Sequence, residues 1–120
     1  MFIEYNANPY KVNIDDCLIR AITLGTGNDY MDVMDGLIEV ADANGWEIDE
    51  MRTGWQYLTN NGWQCCEIEG RYTVKRYAEQ ITEPRIVVVN GHATFTKDGN
   101  TFDTWNPNRY KVKYAFRKCN

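Results

Sequence analysis

The sequence predicts an α+β domain, with helices in its first half and an antiparallel sheet in its second. Three observations carry that reading. Tyr30 to Ala41 places apolar side chains at helical spacing, Arg85 to Asn90 is a β-branched apolar run, and Asp98-Gly99 separates two alternating stretches. Helices first and a strand meander afterwards define the class.

Asp15 and Asp16 offer N-cap oxygens to a helix from about Cys17 to Leu24, with Leu18, Ala21 and Ile22 on one side. Gly25-Thr26-Gly27 is expected to stop it. A second helix starts near Asn28-Asp29 and runs to about Asn44. Tyr30, Val33, Met34, Leu37, Ile38 and Ala41 fall at i, i+3, i+4, i+7, i+8 and i+11, which lines one face. Gly45 supplies a left-handed stop. A short helix is expected from Gly54 to Thr59, and Thr73 caps another from Val74 to Gln80. Phe2 to Tyr10 has no clear period and is expected to drape across the sheet.

Arg85 to Asn90 reads as a buried central strand. After Gly91, His92 to Lys97 alternates, Asp98-Gly99 makes a tight turn, and Asn100 to Trp105 returns. Tyr110 to Phe116 is a fourth strand. Pairing about the turn sets Lys97 opposite Asn100, Thr96 opposite Thr101, Phe95 opposite Phe102 and Thr94 opposite Asp103. Pro9, Pro84 and Pro107 each sit at an expected element boundary.

The 120 residues fit one domain, residues 1–120, and no linker or repeat interrupts them. Thirteen Lys plus Arg against seventeen Asp plus Glu give a net charge of −4. That balance opposes a nucleic-acid partner, which needs a basic face, and a polybasic membrane anchor. Apolar stretches such as Ile86 to Val89 are too short to span a bilayer. Met1-Phe2-Ile3-Glu4-Tyr5 lacks the pattern of a signal peptide, so a cytoplasmic location is expected. The acidic residues of the first half, among them Asp32, Asp35, Glu39 and Asp42, read as a solvated helix face, with a basic protein partner as the alternative.

Cys17, Cys65, Cys66 and Cys119 form no C-x-x-C pair, and no disulfide framework or zinc site is expected from them. Adjacent strand residues point to opposite faces, so Cys65 and Cys66 read as ordinary strand residues. Cys119 is expected to fray. No cofactor and no metal are expected. Trp63 and Trp105 are expected in the core rather than as walls of a groove.

Chemistry concentrates at Cys17, His92 and Asp103. Cys17 opens a helix, where unpaired N–H groups and the helix dipole favour a thiolate. His92 is the only histidine and follows Gly91. Asp103 lies one diagonal step from His92 on the same sheet face, in the register fixed by the turn. The three residues can act as nucleophile, base and orienter. Asp15 and Asp16 would oppose a thiolate if they approached the sulfur, so they are expected to point at backbone N–H groups.

Asp16-Cys17-Leu18-Ile19-Arg20-Ala21-Ile22, Gly27-Asn28-Asp29-Tyr30, Gly91-His92-Ala93 and Asp98 to Trp105 resemble motifs of small bacterial and phage proteins in the papain-like cysteine peptidase superfamily. The bacteriocin-processing peptidases are a relative of that group. The resemblance runs from about Asn13 to Tyr114 and implies a papain-like fold. It matches Cys17 to the nucleophile, His92 to the general base and Asp103 to the orienting acid. Such enzymes place an oxyanion-binding glutamine shortly before the nucleophile, yet no Gln precedes Gln56 here. Asn13 is the substitute expected to line the oxyanion hole, together with the Cys17 backbone N–H. A turn or capping role is its plainer alternative.

The implied activity is acyl transfer on a protein or peptide substrate by a cysteine hydrolase: a peptidase, an isopeptidase or a deamidase. The alternative is a non-catalytic binding or inhibitor module on the same scaffold, for example a phage protein that blocks a host protein.

Overall fold

The computed structural model describes residues 1–12, 14–68 and 70–119. Among them are four helices and a six-stranded sheet, in the order β1 (Phe2–Glu4), α1 (Cys17–Thr26), α2 (Tyr30–Asn44), α3 (Met51–Asn60), β2 (Trp63–Cys66), α4 (Val74–Gln80), β3 (Arg85–Val89), β4 (His92–Lys97), β5 (Asn100–Asp103) and β6 (Tyr114–Lys118). The class is α+β. No helix of the described residues is long and apolar enough to cross a membrane.

The sheet runs β1-β5-β4-β3-β6-β2. It is mixed and not purely antiparallel, because β1 pairs with β5 in parallel, Phe2 beside Thr101 and Glu4 beside Asp103. The first three residues of the segment expected to drape over the sheet, Phe2–Glu4, thus form an edge strand beside Asp103. The other pairings are antiparallel. Asp98 and Gly99 take φ of 55° and 80°, the left-handed pair a tight hairpin turn requires. The resulting register sets Phe95 opposite Phe102, Thr96 opposite Thr101 and Lys97 opposite Asn100, as the turn predicts. β5 stops at Asp103 rather than Trp105, and β6 begins at Tyr114 rather than Tyr110. Pro107 lies in the segment between them.

Alternate residues of β3 serve two apolar layers. Ile86 and Val88 join Leu18, Ile22, Val33, Leu37, Leu58, Phe95 and Phe116 in the larger one, under α1, α2 and α3. Val87 and Val89 join Val74, Tyr77 and Ala115 in the smaller one, under α4. This explains the unbroken apolar run of β3, since a strand covered on both faces has no polar parity. In β2, Cys65 and Cys66 lie opposite Phe116 and Ala115, and Cys65 packs against the larger layer. Cys119 is tied down by its backbone N–H, which donates to the Gly62 carbonyl at 2.7 Å, and is not frayed.

Two helix boundaries differ from expectation. α3 begins at Met51, one turn before Gly54. α1 runs through Gly25 and ends at Gly27, whose φ of 74° makes the left-handed cap. Gly25 instead serves a close approach: a Cβ there would sit 2.8 Å from two side-chain atoms of Ile86 and 3.3 Å from Trp63. Gly25→Ala should therefore destabilise the protein. Removing a helix glycine gains at most about 1 kcal/mol, whereas overpacking a filled core costs about 1–3 kcal/mol. A net loss of about 1 kcal/mol is expected, read as a lower midpoint in chemical denaturation. A stabilised variant would mean that the α1–β3 gap can relax.

Candidate active site

Cys17 is the first residue of α1, His92 the first of β4 and Asp103 the last of β5. The tight turn fixes the last two against each other, and packing of α1 on β4 brings the helix start to them. The His92 Nε2 lies 2.7 Å from the Asp103 Oδ2. His92 is 7% exposed and Asp103 is 4% exposed, while Cys17 is half-buried. Nε2 is the ring nitrogen held by the carboxylate, and Cys17 stands near enough to help raise the imidazole pKa. The three residues singled out in the sequence are thus gathered at one place.

No family model, curated protein or solved structure matches the chain.

The imidazole's proton affinity reflects opposing effects. Burial favours the neutral ring most strongly, but hydrogen bonds and charge from Asp103 and Cys17 outweigh it and carry the pKa up to about 9. The ring is thus held as imidazolium at neutral pH. Because the folded value lies above the ordinary 6.5, this group's contribution to stability is complete below about pH 6.5. It is lost as pH rises through about 9. A single histidine gives a single imidazole resonance, so titration by NMR reads the value directly. The midpoint should fall in Cys17→Ala and in Asp103→Asn, each of which removes a group that raises it. A wild-type midpoint near 6.5 would show that neither partner holds the proton.

A buried polar network that sequence reasoning missed lies behind Asp103. Arg20 is 7% exposed and Asp16 is 4% exposed. The Arg20 guanidinium pairs with the Asp16 carboxylate, and its second terminal nitrogen lies 3.8 Å from the Asp103 Oδ1. Asp103 Oδ1 also accepts the Thr104 backbone N–H at 2.7 Å. The other oxygen of Asp16 accepts from the Tyr30 hydroxyl at 2.7 Å and the Asn8 amide at 3.1 Å. Burial pushes the Tyr30 hydroxyl pKa up and the nearby Arg20 charge opposes that, so Tyr30 is a neutral donor at pH 7. Carboxylate, guanidinium, carboxylate and imidazolium then alternate in sign through a buried space, where low dielectric makes each neighbour count. The only signal in the sequence is the i, i+4 spacing of Asp16 and Arg20.

This network corrects the expected role of Asp16. It stands at the N-cap of α1, but its side chain makes no cap hydrogen bond. The carboxylate is turned toward Arg20, Tyr30 and Asn8 instead, which keeps it from capping the N–H groups beside Cys17. Asp15 is exposed and is not among the caps either. The uncapped first turn of α1 therefore presents backbone donors next to the thiol. Asn13, the expected oxyanion donor, lies outside the described residues. The amides of Asn6 and Asn8 are engaged, by the Val12 carbonyl and by Asp16.

Trp63 is buried as expected, but Trp105 is 42% exposed and is not a core residue. Its ring stacks at 4.4 Å, tilted 38°, on the imidazole of His92, and Tyr110 meets it edge-on at 5.6 Å. The chain leaves the sheet after Asp103, which frees Trp105 to lie against the His92 ring. Among the described residues, no group of three or more His, Cys, Asp or Glu is arranged to hold a metal ion.

Proposed function

We propose that the chain is a cysteine acyl-transfer enzyme with a papain-like arrangement, acting on an amide carbonyl of a protein or peptide. Support comes from one observation above all: the sole histidine is clamped by Asp103 through one nitrogen, and Cys17 stands near enough to help raise its pKa. That is the geometry of an oriented base beside a nucleophile.

The Cys17 thiolate attacks the carbonyl carbon, and the C=O π pair moves to oxygen. The first-turn N–H groups of α1 stabilise that oxyanion. The His92 imidazolium gives its proton to the departing nitrogen, the C–N bond breaks, and a thioester remains on Cys17. Water then attacks the thioester while His92 accepts its proton. The C–S bond breaks, releasing the acid and restoring thiolate and imidazolium. Asp103 holds the ring throughout and keeps its charge. Deprotonation of His92 removes the acid that the leaving group needs, so turnover should decline as pH rises through about 9.

Intact-mass spectrometry during turnover of a peptide thioester tests the proposal. The expected result is an acyl adduct on Cys17 that forms and then decays. An adduct that never forms, or that forms equally on Cys119, would contradict it.

A further inference from the structure

A cavity of about 200 Å³ has Cys17 in its lining. Sites that take whole small molecules run to roughly 300–1,000 Å³, so this one suits a single side chain. Its walls are apolar, from Leu18, Ile48 and Met51, and Gly91, the residue before His92, closes one side. Asp15 and Asp49 also line it, and both are exposed. Among the described residues neither forms an ion pair. Asp16 lies there too, but its carboxylate is occupied by Arg20, Tyr30 and Asn8.

An apolar slot with two unpaired carboxylates fits one kind of side chain, an aliphatic stem ending in a cation. We infer that this cavity selects a lysine or arginine on the substrate residue whose carbonyl Cys17 attacks, so that the enzyme acts after basic residues. The stem lies along Leu18, Ile48 and Met51, as long basic side chains do on apolar surface, and the cation meets Asp15 and Asp49. An acidic side chain is repelled there. An uncharged one of equal length keeps the apolar contact but gains no charge pairing. The inference rests on the acyl-transfer reading, because the cavity's position matters only if Cys17 is the nucleophile.

Peptidyl acyloxymethyl ketones test it, with lysine, norleucine or glutamate next to the ketone. The thiolate displaces the carboxylate leaving group and forms a stable thioether, so each labelling rate is read without hydrolysis. Each exposed ion pair contributes a small factor, and two together should make lysine at least about fivefold faster than norleucine, with glutamate slowest. The lysine-to-norleucine ratio should fall in Asp49→Asn and in Asp15→Asn and approach one when both are replaced. It is read within each variant, so a general change in reactivity cancels. Raising salt to roughly 1 M should shrink the wild-type ratio by screening, which requires no variant to fold. A ratio near one in the wild type, with rapid His92-dependent labelling, would overturn the inference and leave acyl transfer standing. Labelling of Cys17 no faster than Cys119 with every probe would overturn both.

Discussion

Cys17→Ala should abolish acyl transfer, by at least about a thousandfold, while leaving the fold intact. Removing the nucleophile from a catalytic set costs far more than removing one binding contact, because the bond to be formed no longer has a partner. The stability cost should be small, since Cys17 is only half-buried and sits at the start of α1. Cys65→Ala is the matching control. Burial first, and then the charge of Cys66, push the Cys65 thiol pKa up, so that sulfur stays protonated and unreactive at neutral pH. Its loss should leave turnover unchanged. Residual turnover in Cys17→Ala that vanishes only on further loss of Cys65 or Cys119 would show that the nucleophile had been misassigned.

Arg20→Met should cost the folded state about 3–5 kcal/mol, the range for leaving buried charges without their partner. Arg20 is the cation between Asp16 and Asp103, and both carboxylates are almost wholly buried. Methionine matches its stem but leaves the two negative charges facing each other. Arg20→Lys retains a charge without the planar fork and should recover part of the loss. Denaturation midpoints read both variants. A cost below about 1 kcal/mol for Arg20→Met would mean that the pairs with Asp16 and Asp103 are not maintained. The same substitution should lower turnover in molecules that remain folded, because Asp103 then loses one of the groups that fix its direction toward His92.

The parts of this architecture legible in the sequence are those set by local rules. A two-residue Asp98-Gly99 turn admits one pairing of its flanking strands, and that pairing brings Asp103 within reach of His92. The period of α2 and its Gly45 stop are equally local. What escaped depended on distant contacts. β1 has three residues and a parallel partner about a hundred positions away, so neither alternation nor a turn marks it. Gly25 carries the same local signal as a helix stop, yet its role is set by Ile86. Asp16 carries the signal of an N-cap, and only the arrival of Arg20, Tyr30 and Asn8 diverts its carboxylate. Trp105 read as the end of a strand, but β5 stops two residues earlier, and the indole covers His92 instead of entering the core.

The rate of alkylation of Cys17 by iodoacetamide at neutral pH, compared with Cys119 in the same molecule, tests the central claim most directly. Cys119 is exposed and serves as the internal comparison. If Cys17 and His92 form a thiolate–imidazolium pair, Cys17 should react at least about tenfold faster than Cys119. That advantage should disappear in His92→Ala. A Cys17 that reacts no faster than Cys119, or at the same rate with and without His92, would contradict acyl transfer and leave a binding module on this scaffold.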